Sequence, residues 1–449
     1  MREAGGGTRA DARVEARISR RAADRLRQGH LWVYASDVEA VELPAGAAEE
    51  GSVDPPPLLP VAALSPVAGL LHVADNRGIL LGTALYSPRS QIALRMVSRE
   101  AIDEAGWLEL LAARLRRAIG RRRSMLTAEN DACRLCFSEA DELPGLVADK
   151  YGELVVVQRL TRGLLTDKVR DTCVRVLCEE LAPTAIVERP DPRIRELEGL
   201  PAPAGEPLWR AGDNAPAAGA DSGAGLDVNF RMGGLVFRFN ANAGQKTGAF
   251  LDQRMNYAAA REWARKLAGG AGATGRALDV CCYQGGFALH LAEVCRQVTG
   301  IDTSRASLEV AEENLKANRS RLRGEVDWMV ADAFEILRDW AQGGERFDAI
   351  VLDPPAFAKT KRAVEGALRG YKELNLRALR LARPGGLLVT CSCSHHVGWA
   401  EFEAAVAAAA ADARRRVRLL ERRGAAPDHP VVLNLPETEY LKCLVLEVE

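Results

Sequence analysis

ALDVCCYQGGFALH, residues 277–290, is the stretch on which the reading of the C-terminal half turns. It opens as a short apolar run, 277–281, which Asp279 closes. Gly285 and Gly286 then open a segment of helical spacing. Glycines at that place let the backbone approach a ligand closely and leave helix N–H groups free. They do not form GxGxxG, so a dinucleotide is not favoured. A lone Gly-Gly turn is equally a plain structural turn.

Outward from this stretch, strand-like runs alternate with helical ones. The spacing predicts helices over 286–296, 304–318, 333–342 and 365–382, and strands over 298–302, 326–330, 348–352 and 386–390. The alternation implies an α/β fold with a doubly wound, mainly parallel sheet. Such sheets bind ligands beyond the carboxyl ends of their strands, so the chemistry is sought there.

The second strand ends in Asp302, well placed to accept both ribose hydroxyls, while Ser304 reads as a helix N-cap. The third ends in Ala331-Asp332-Ala333-Phe334, where the acid either holds an adenine amino group or caps the next helix. The fourth ends in Asp353-Pro354-Pro355, a turn stiffened by two prolines. The fifth ends in TCSCSHH, placing Cys391, Cys393, His395 and His396 beside the Asp-Pro-Pro loop if the strands neighbour each other. A strand cysteine is ordinarily a small hydrophobe. The compact Cys-x-Cys-x-His-His spacing is unlike the common zinc patterns.

Upstream, apolar runs at 78–86, 91–96, 153–160 and 184–188 read as strands, and 102–125 and 165–181 as helices. This is an α+β rhythm in small units. Residues 41–61 and 200–225 are rich in Pro, Ala and Gly and read as surface loops or linkers. The resulting division is a β-rich domain over 1–98, a central α+β domain with its linker over 99–225, and the α/β domain over 226–449.

The chain has 449 residues, with 60 Lys+Arg against 61 Asp+Glu and 47% hydrophobic residues. This excludes a polycation and a disordered acidic chain. No apolar run is long enough to span a bilayer, and the Arg-rich start lacks the apolar core of a secretory signal. Ten cysteines are too sparse for a disulfide scaffold, and a reduced, cytoplasmic protein is expected. Cys133 and Cys136 have CxxC spacing without a second half-site, so no metal is assigned. Six arginines within 114–123 read either as a phosphate-binding face or as a solvated one.

Taken together, the glycine turn, ribose acid, Asp-Ala-Phe, Asp-Pro-Pro-x-Phe and Thr-Cys-Ser-Cys-Ser resemble the class I S-adenosylmethionine-dependent methyltransferases. More narrowly, the chain resembles the bacterial large-subunit (23S) ribosomal RNA cytosine-C5 methyltransferases, built as a PUA domain, a central domain and a Rossmann-like methyltransferase domain. RLRQGHLWVYASDV (25–38) and GTALYSPRSQIALRM (82–96) are similar to the PUA domain, and SEADELPGLVADKYGELVVVQ (138–158) to the central domain. GQKTGAFLDQR (244–254), RGYKELNLRAL (369–379), PDHPV (427–431) and TEYLK (438–442) match the catalytic part. The 41–61 segment is outside the pattern and reads as an enlarged PUA loop.

The resemblance implies S-adenosyl-L-methionine as cofactor and large-subunit ribosomal RNA as partner, with no membrane; pairing with a second copy of the chain is left open. It makes Cys393 the nucleophile that adds to C6 of the cytosine, with Asp353 hydrogen-bonding the base. His395, His396 or Lys359 would support the thiolate. The Pro-containing loop lacks the second cysteine of many such enzymes, so Cys391 or water would remove the C5 proton. Asp302 would hold the ribose, Gly285 the methionine portion, and Asp332 with Phe334 the adenine. Asp279, Gly286, Phe287, Ser304, Asp353 and Arg254 complete the implied cofactor site. Asp252 and Arg254 either brace the pocket or meet the cofactor carboxylate. Two rival readings are methylation of a guanine or adenine nitrogen, which makes Cys393 dispensable, and a non-catalytic RNA-binding assembly factor. A third is a thiol redox or metal protein, which leaves the cofactor motifs unexplained.

Overall fold

The computed structural model describes residues 15–42, 69–189, 191–201, 207–212, 226–241, 248–269 and 275–449. Most of the 41–61 and 200–225 segments, and residues 244–247 of the GQKTG motif, lie outside the described residues.

The C-terminal half is built on seven strands: β1 (Arg276–Val280), β2 (Gln297–Asp302), β3 (Glu325–Val330), β4 (Phe347–Leu352), β5 (Ala382–Ser392), β6 (Val417–Arg423) and β7 (Lys442–Val448). They lie in the order β3-β2-β1-β4-β5-β7-β6. The first five run parallel, and β7 is antiparallel to both its neighbours. The helices are α1 (Arg254–Leu267), α2 (Gly286–Ala292), α3 (Arg305–Asn318), α4 (Ala333–Gly343), α5 (Val364–Leu381) and α6 (Trp399–Ala413). The expected doubly wound sheet is therefore present.

The inner strands are largely apolar because both faces are covered, Asp279 of β1 being a buried exception. Alternate side chains feed two separate cores. Ala277, Val298, Ala349, Val351 and Val389 pack with Tyr257 and Ala260 of α1 and Leu289 of α2. Leu278, Val280, Ile350, Leu352 and Leu388 pack with Leu337 of α4, Leu374 of α5 and Phe402 of α6.

A six-stranded sheet occupies residues 15–98, ordered Trp32–Tyr34, Ile92–Ser98, Leu80–Tyr86, Leu70–Asp75, Glu15–Ile18, Val38–Glu42. A five-stranded sheet follows, ordered Trp209–Arg210, Ala185–Glu188, Leu154–Arg159, Leu146–Tyr151, Ala132–Phe137. The helix expected over 102–125 runs Glu104–Arg122, because Asp103 caps it by accepting the Gly106 N–H at 2.9 Å. A hairpin, Asp227–Met232 with Leu235–Asn240, turns at Gly233-Gly234, both at positive φ (59° and 81°). That is the geometry a two-residue hairpin turn requires, and the sequence reading missed it.

The parts interlock through polar contacts. Trp32 Nε1 donates to Glu139 at 3.0 Å, and Arg95 and Ser90 both reach Glu198. His30 Nε2 lies 3.3 Å from Glu437. Arg122 is fully buried, bonding Asp141 at 2.7 Å and the Asp428 carbonyl at 3.0 Å.

The Arg-rich helix does not offer the free basic face that was one of its two readings. Arg114 and Arg117 pair with Glu142, Arg116 with Glu179 and Glu180, Arg123 with Glu180, and Arg121 and Arg122 with Asp141. The six arginines share four acids, Asp141, Glu142, Glu179 and Glu180.

Candidate functional site

β1, β2, β3 and β4 end at one rim of the sheet, and Cys281 marks their meeting point. Burial and the charges of Asp302, Asp353, Asp279 and Asp332 all push its thiol upward. The four strand-end acids expected from the sequence are thus gathered around one residue. Cys281 and Tyr283 both adopt positive φ (63° and 50°), an uncommon strain for side-chain-bearing residues that clusters at functional turns.

Each acid has a distinct role in holding this rim. Asp302 accepts the Tyr283 N–H at 2.9 Å and the Ser304 N–H at 2.8 Å, stapling the turn after β1 to the end of β2. Asp279 is fully buried; its Oδ2 accepts the Ala288 N–H of α2 at 2.8 Å. Burial and the neighbouring charges of Asp353 and Asp302 push its carboxyl well above the usual range, against the pull of the Ala288 N–H. Its Oδ1 is buried and has no partner among the described residues. Asp332 is the cap alternative realised: its Oδ1 accepts the Phe334 and Glu335 N–H groups at 2.8 and 3.1 Å. Ser304 likewise caps α3 through the Ser307 N–H at 3.2 Å. The exposed side chain of Asp332 stays at the rim while its Oδ1 caps α4.

Gly285 has φ 84°, and a Cβ there would lie 2.7 Å from the Trp328 ring. At Gly286 a Cβ would meet the Tyr257 ring at 2.4 Å. Close packing therefore demands both glycines, whatever else approaches them. Phe287 does not face the rim. Its ring is buried edge-on against Tyr257, centroids 4.6 Å apart. Phe334 and Phe357 stand 6.1 Å apart, and Phe357 stacks on Tyr371 at 4.8 Å, giving the acids an apolar neighbour.

β5 lies beside β4, so the cysteine turn meets the Asp-Pro-Pro loop. Half-buried Cys393 has its Sγ 3.8 Å from the Pro354 carbonyl oxygen. Ser394 joins the two segments: its Oγ accepts the Ala358 N–H at 3.1 Å and lies 2.9 Å from the Tyr371 hydroxyl.

Three other candidate residues are packed into the surrounding structure. Cys391 is fully buried and registers with Cys443 across β5 and β7. Hydrogen bonding to Cys443 and burial hold its thiol well above the usual range, which disfavours the thiolate that a base would need. Arg254 is buried against the Ala132 carbonyl at 2.6 Å and Asp428 at 3.3 Å, the contacts of the bracing alternative. Asp252 accepts the Tyr440 hydroxyl at 2.6 Å, again as a brace. PDHPV supplies Asp428, which also accepts the Arg134 N–H at 2.9 Å and the His429 ring N–H at 3.1 Å.

Sequence reasoning missed Lys442. It is 3% exposed and pairs in register with Ser392. Its signal was a lysine opening a mostly apolar strand, KCLVLEV. Among the expected supports for a thiolate, Lys359 is exposed. Desolvation, with the positive fields of Lys442 and His396, lowers the pKa of His395.

Comparison with known proteins fixes the class. Residues 216–445 match the family described as S-adenosylmethionine-dependent methyltransferase, and residues 16–54 match a PUA-like domain. The ribosomal RNA large subunit methyltransferase I of Pseudoalteromonas translucida (strain TAC 125) is 35% identical over 84% of this chain and 89% of that one. Its counterpart in Erwinia tasmaniensis is 33% identical over 93% and 95%. The chain belongs to the ribosomal RNA large subunit methyltransferase I family. Its fold is also that of the crystal structure of SMU.776 complexed with SAH, with a TM-score of 0.72 and 17% identity over 97% of this chain and 100% of that one. Among the described residues no helix is long and apolar enough to cross a membrane.

The rim fits S-adenosylmethionine. Four acids around one turn suit a ligand that carries a sulfonium and an ammonium group. The orphaned Asp279 Oδ1 is a buried polar atom without a partner among the described residues, and leaving such an atom unpaired is costly.

Proposed function

We propose that this protein is an RNA methyltransferase forming 5-methylcytosine in large-subunit (23S) ribosomal RNA. The observation that carries the reading is the approach of the Cys393 thiol to the Asp-Pro-Pro loop, 3.8 Å from the Pro354 carbonyl. The ribosomal RNA activity in the names of the 33–35% identical relatives supports the substrate. A cytoplasmic location suits that substrate.

C5 of cytosine is a poor nucleophile. Addition of the Cys393 thiolate to C6 turns the ring into an enamine, and C5 becomes reactive. When bound, the cofactor supplies an electrophilic methyl group on its sulfonium. Asp353 orients the flipped base through its exocyclic amine and ring nitrogen. After transfer, C5 gives up its proton to water, since Cys391 is fully buried. The C6–S bond then breaks and returns the Cys393 thiolate. Extracting the base from its stack costs a few kcal/mol, less in a single-stranded site. The 1–98 region, as the PUA-like domain, would grip the RNA backbone, with 99–225 as a central spacer and 226–449 as the catalytic domain.

On the cofactor side, Asp302 accepts the ribose hydroxyls, Gly285 flanks the methionine portion, and Phe334 lies against the adenine. Asp302→Ala is expected to weaken S-adenosylmethionine binding about 10- to 100-fold, as loss of charge-assisted hydrogen bonds would. Calorimetric titration with the cofactor measures it, and unchanged affinity removes Asp302 from the site.

The deciding experiment incubates ribosomal RNA with isotopically labelled cofactor and the protein, then digests the RNA to nucleosides. Label in 5-methylcytidine is the expected result. Label in a methylated guanosine or adenosine instead would replace this reading with nitrogen methylation.

A further inference from the structure

The feature the reaction above leaves unused is the buried ammonium of Lys442. Removing a lysine from water is costly, and proteins keep one only where its charge is used or compensated. Here Nζ donates to the Ser394 and Tyr440 carbonyl oxygens, each at 2.7 Å. Ser394 directly follows Cys393, and Ser392, directly before it, is the register partner of Lys442. The ammonium is therefore lodged behind the three-residue turn that carries the thiol.

The other groups facing this turn do not supply a comparable charge. Tyr371 of α5 bonds Ser394, and burial pushes its hydroxyl upward, so it is neutral. Tyr440 is likewise held neutral by burial and by Asp252. His395 lies tilted against Tyr440 with ring centroids 5.3 Å apart, and desolvation with the positive field of Lys442 lowers its pKa and disfavours its charged form. Glu439 and Glu401 are the acids whose fields reach Lys442, and Asp353 lies one residue from the Pro354 carbonyl that meets the thiol. His396, exposed on the same turn, and Lys359 beyond the Asp-Pro-Pro loop are both solvated. A negative charge on Cys393 favours the ammonium form of Lys442, while desolvation draws that lysine down to about 8.

We propose that Lys442 is the positioning residue for Cys393, its ammonium supplying the positive field that supports the thiolate. This rests on the reading of Cys393 as the nucleophile. The thiol proton passes to solvent water, and no other bond changes. Lys442 thereby replaces the histidines and Lys359 as the electrostatic partner of the sulfur.

The test is the rate at which iodoacetamide alkylates Cys393 in the full-length protein, without RNA, as a function of pH, followed by peptide mass spectrometry. In the wild type the half-point of the rate profile is expected below the ~8.5 of a free thiol. In Lys442→Met it should rise by about one pH unit or more. Methyl transfer at neutral pH should fall about tenfold and recover as the pH is raised, while Lys442→Arg keeps a half-point near that of wild type. Melting temperature and cofactor affinity confirm that the variants are folded. An unmoved half-point in folded Lys442→Met overturns the proposal, as does a loss of activity that higher pH does not restore. If the variants do not fold, a wild-type half-point at or above ~8.5 overturns it alone. Failure of the underlying reading shows differently: Cys393→Ala would then methylate RNA normally, whatever Lys442 does to the thiol.

Discussion

Cys393→Ala is expected to abolish methyl transfer, with a loss of at least about a thousandfold, because without the sulfur C5 has no route to an enamine. Cofactor affinity should be unchanged, since the thiol lies on the Asp-Pro-Pro side of the rim. An RNA bearing 5-fluorocytidine at the target adds a second readout. Fluorine at C5 cannot leave as a proton does, so the wild-type enzyme should remain bonded to C6 and migrate with the RNA on a denaturing gel. The alanine variant should give no such species. Cys391→Ala should still trap the RNA, because that thiol is enclosed between β5 and β7 beside Cys443. Retained activity in Cys393→Ala would leave nitrogen methylation as the working account.

The second large effect is on stability. Asp428 is fully buried and holds Arg254, the Arg134 backbone N–H and the His429 ring together. Asp428→Ala leaves the Arg254 guanidinium buried without that partner. A cost of about 3–5 kcal/mol is expected, read as a lower midpoint in urea or thermal unfolding. Desolvation acts to raise the Asp428 carboxyl, but His429, Arg254 and the Arg134 N–H outweigh it and hold it below the ordinary carboxylate range. A depressed folded-state pKa gives stability that is complete above the unfolded value of ~3.9 and is lost as the pH falls toward the folded one. The gap between wild type and Asp428→Ala should therefore be widest near neutrality and narrow as the pH drops below about 4. A pH-independent gap would mean that the carboxylate's charge is not what binds the three groups.

The parallel sheet was legible because its strands are covered on both faces and read as plain apolar runs separated by helical spacing. The strand-end acids were legible for the same reason: each is the first polar residue after such a run. What stayed hidden depends on pairings remote in sequence. Lys442 meets the cysteine turn only through the antiparallel register of β5 with β7, fifty residues on. Arg254 was open to two readings until Asp428, far downstream, came to lie 3.3 Å from it. Phe287 looked like part of a ligand-facing turn, yet one residue past Gly286 the helix has already rotated it onto Tyr257. The arginines of 114–123 looked free because their acidic partners come from the 138–142 turn and the helix at 167–181.

The contacts of Trp32 with Glu139, His30 with Glu437 and Arg122 with Asp428 have a geometric corollary. They span the three folded units, so a polymer held on the first sheet meets the cysteine rim at a span the protein sets, with little slack. Under the proposed function such a molecule would work as a caliper, its nucleotide set by how far it lies from a gripped landmark. Moving that landmark by even one base step along the RNA should starve the rim of its substrate while leaving the grip intact.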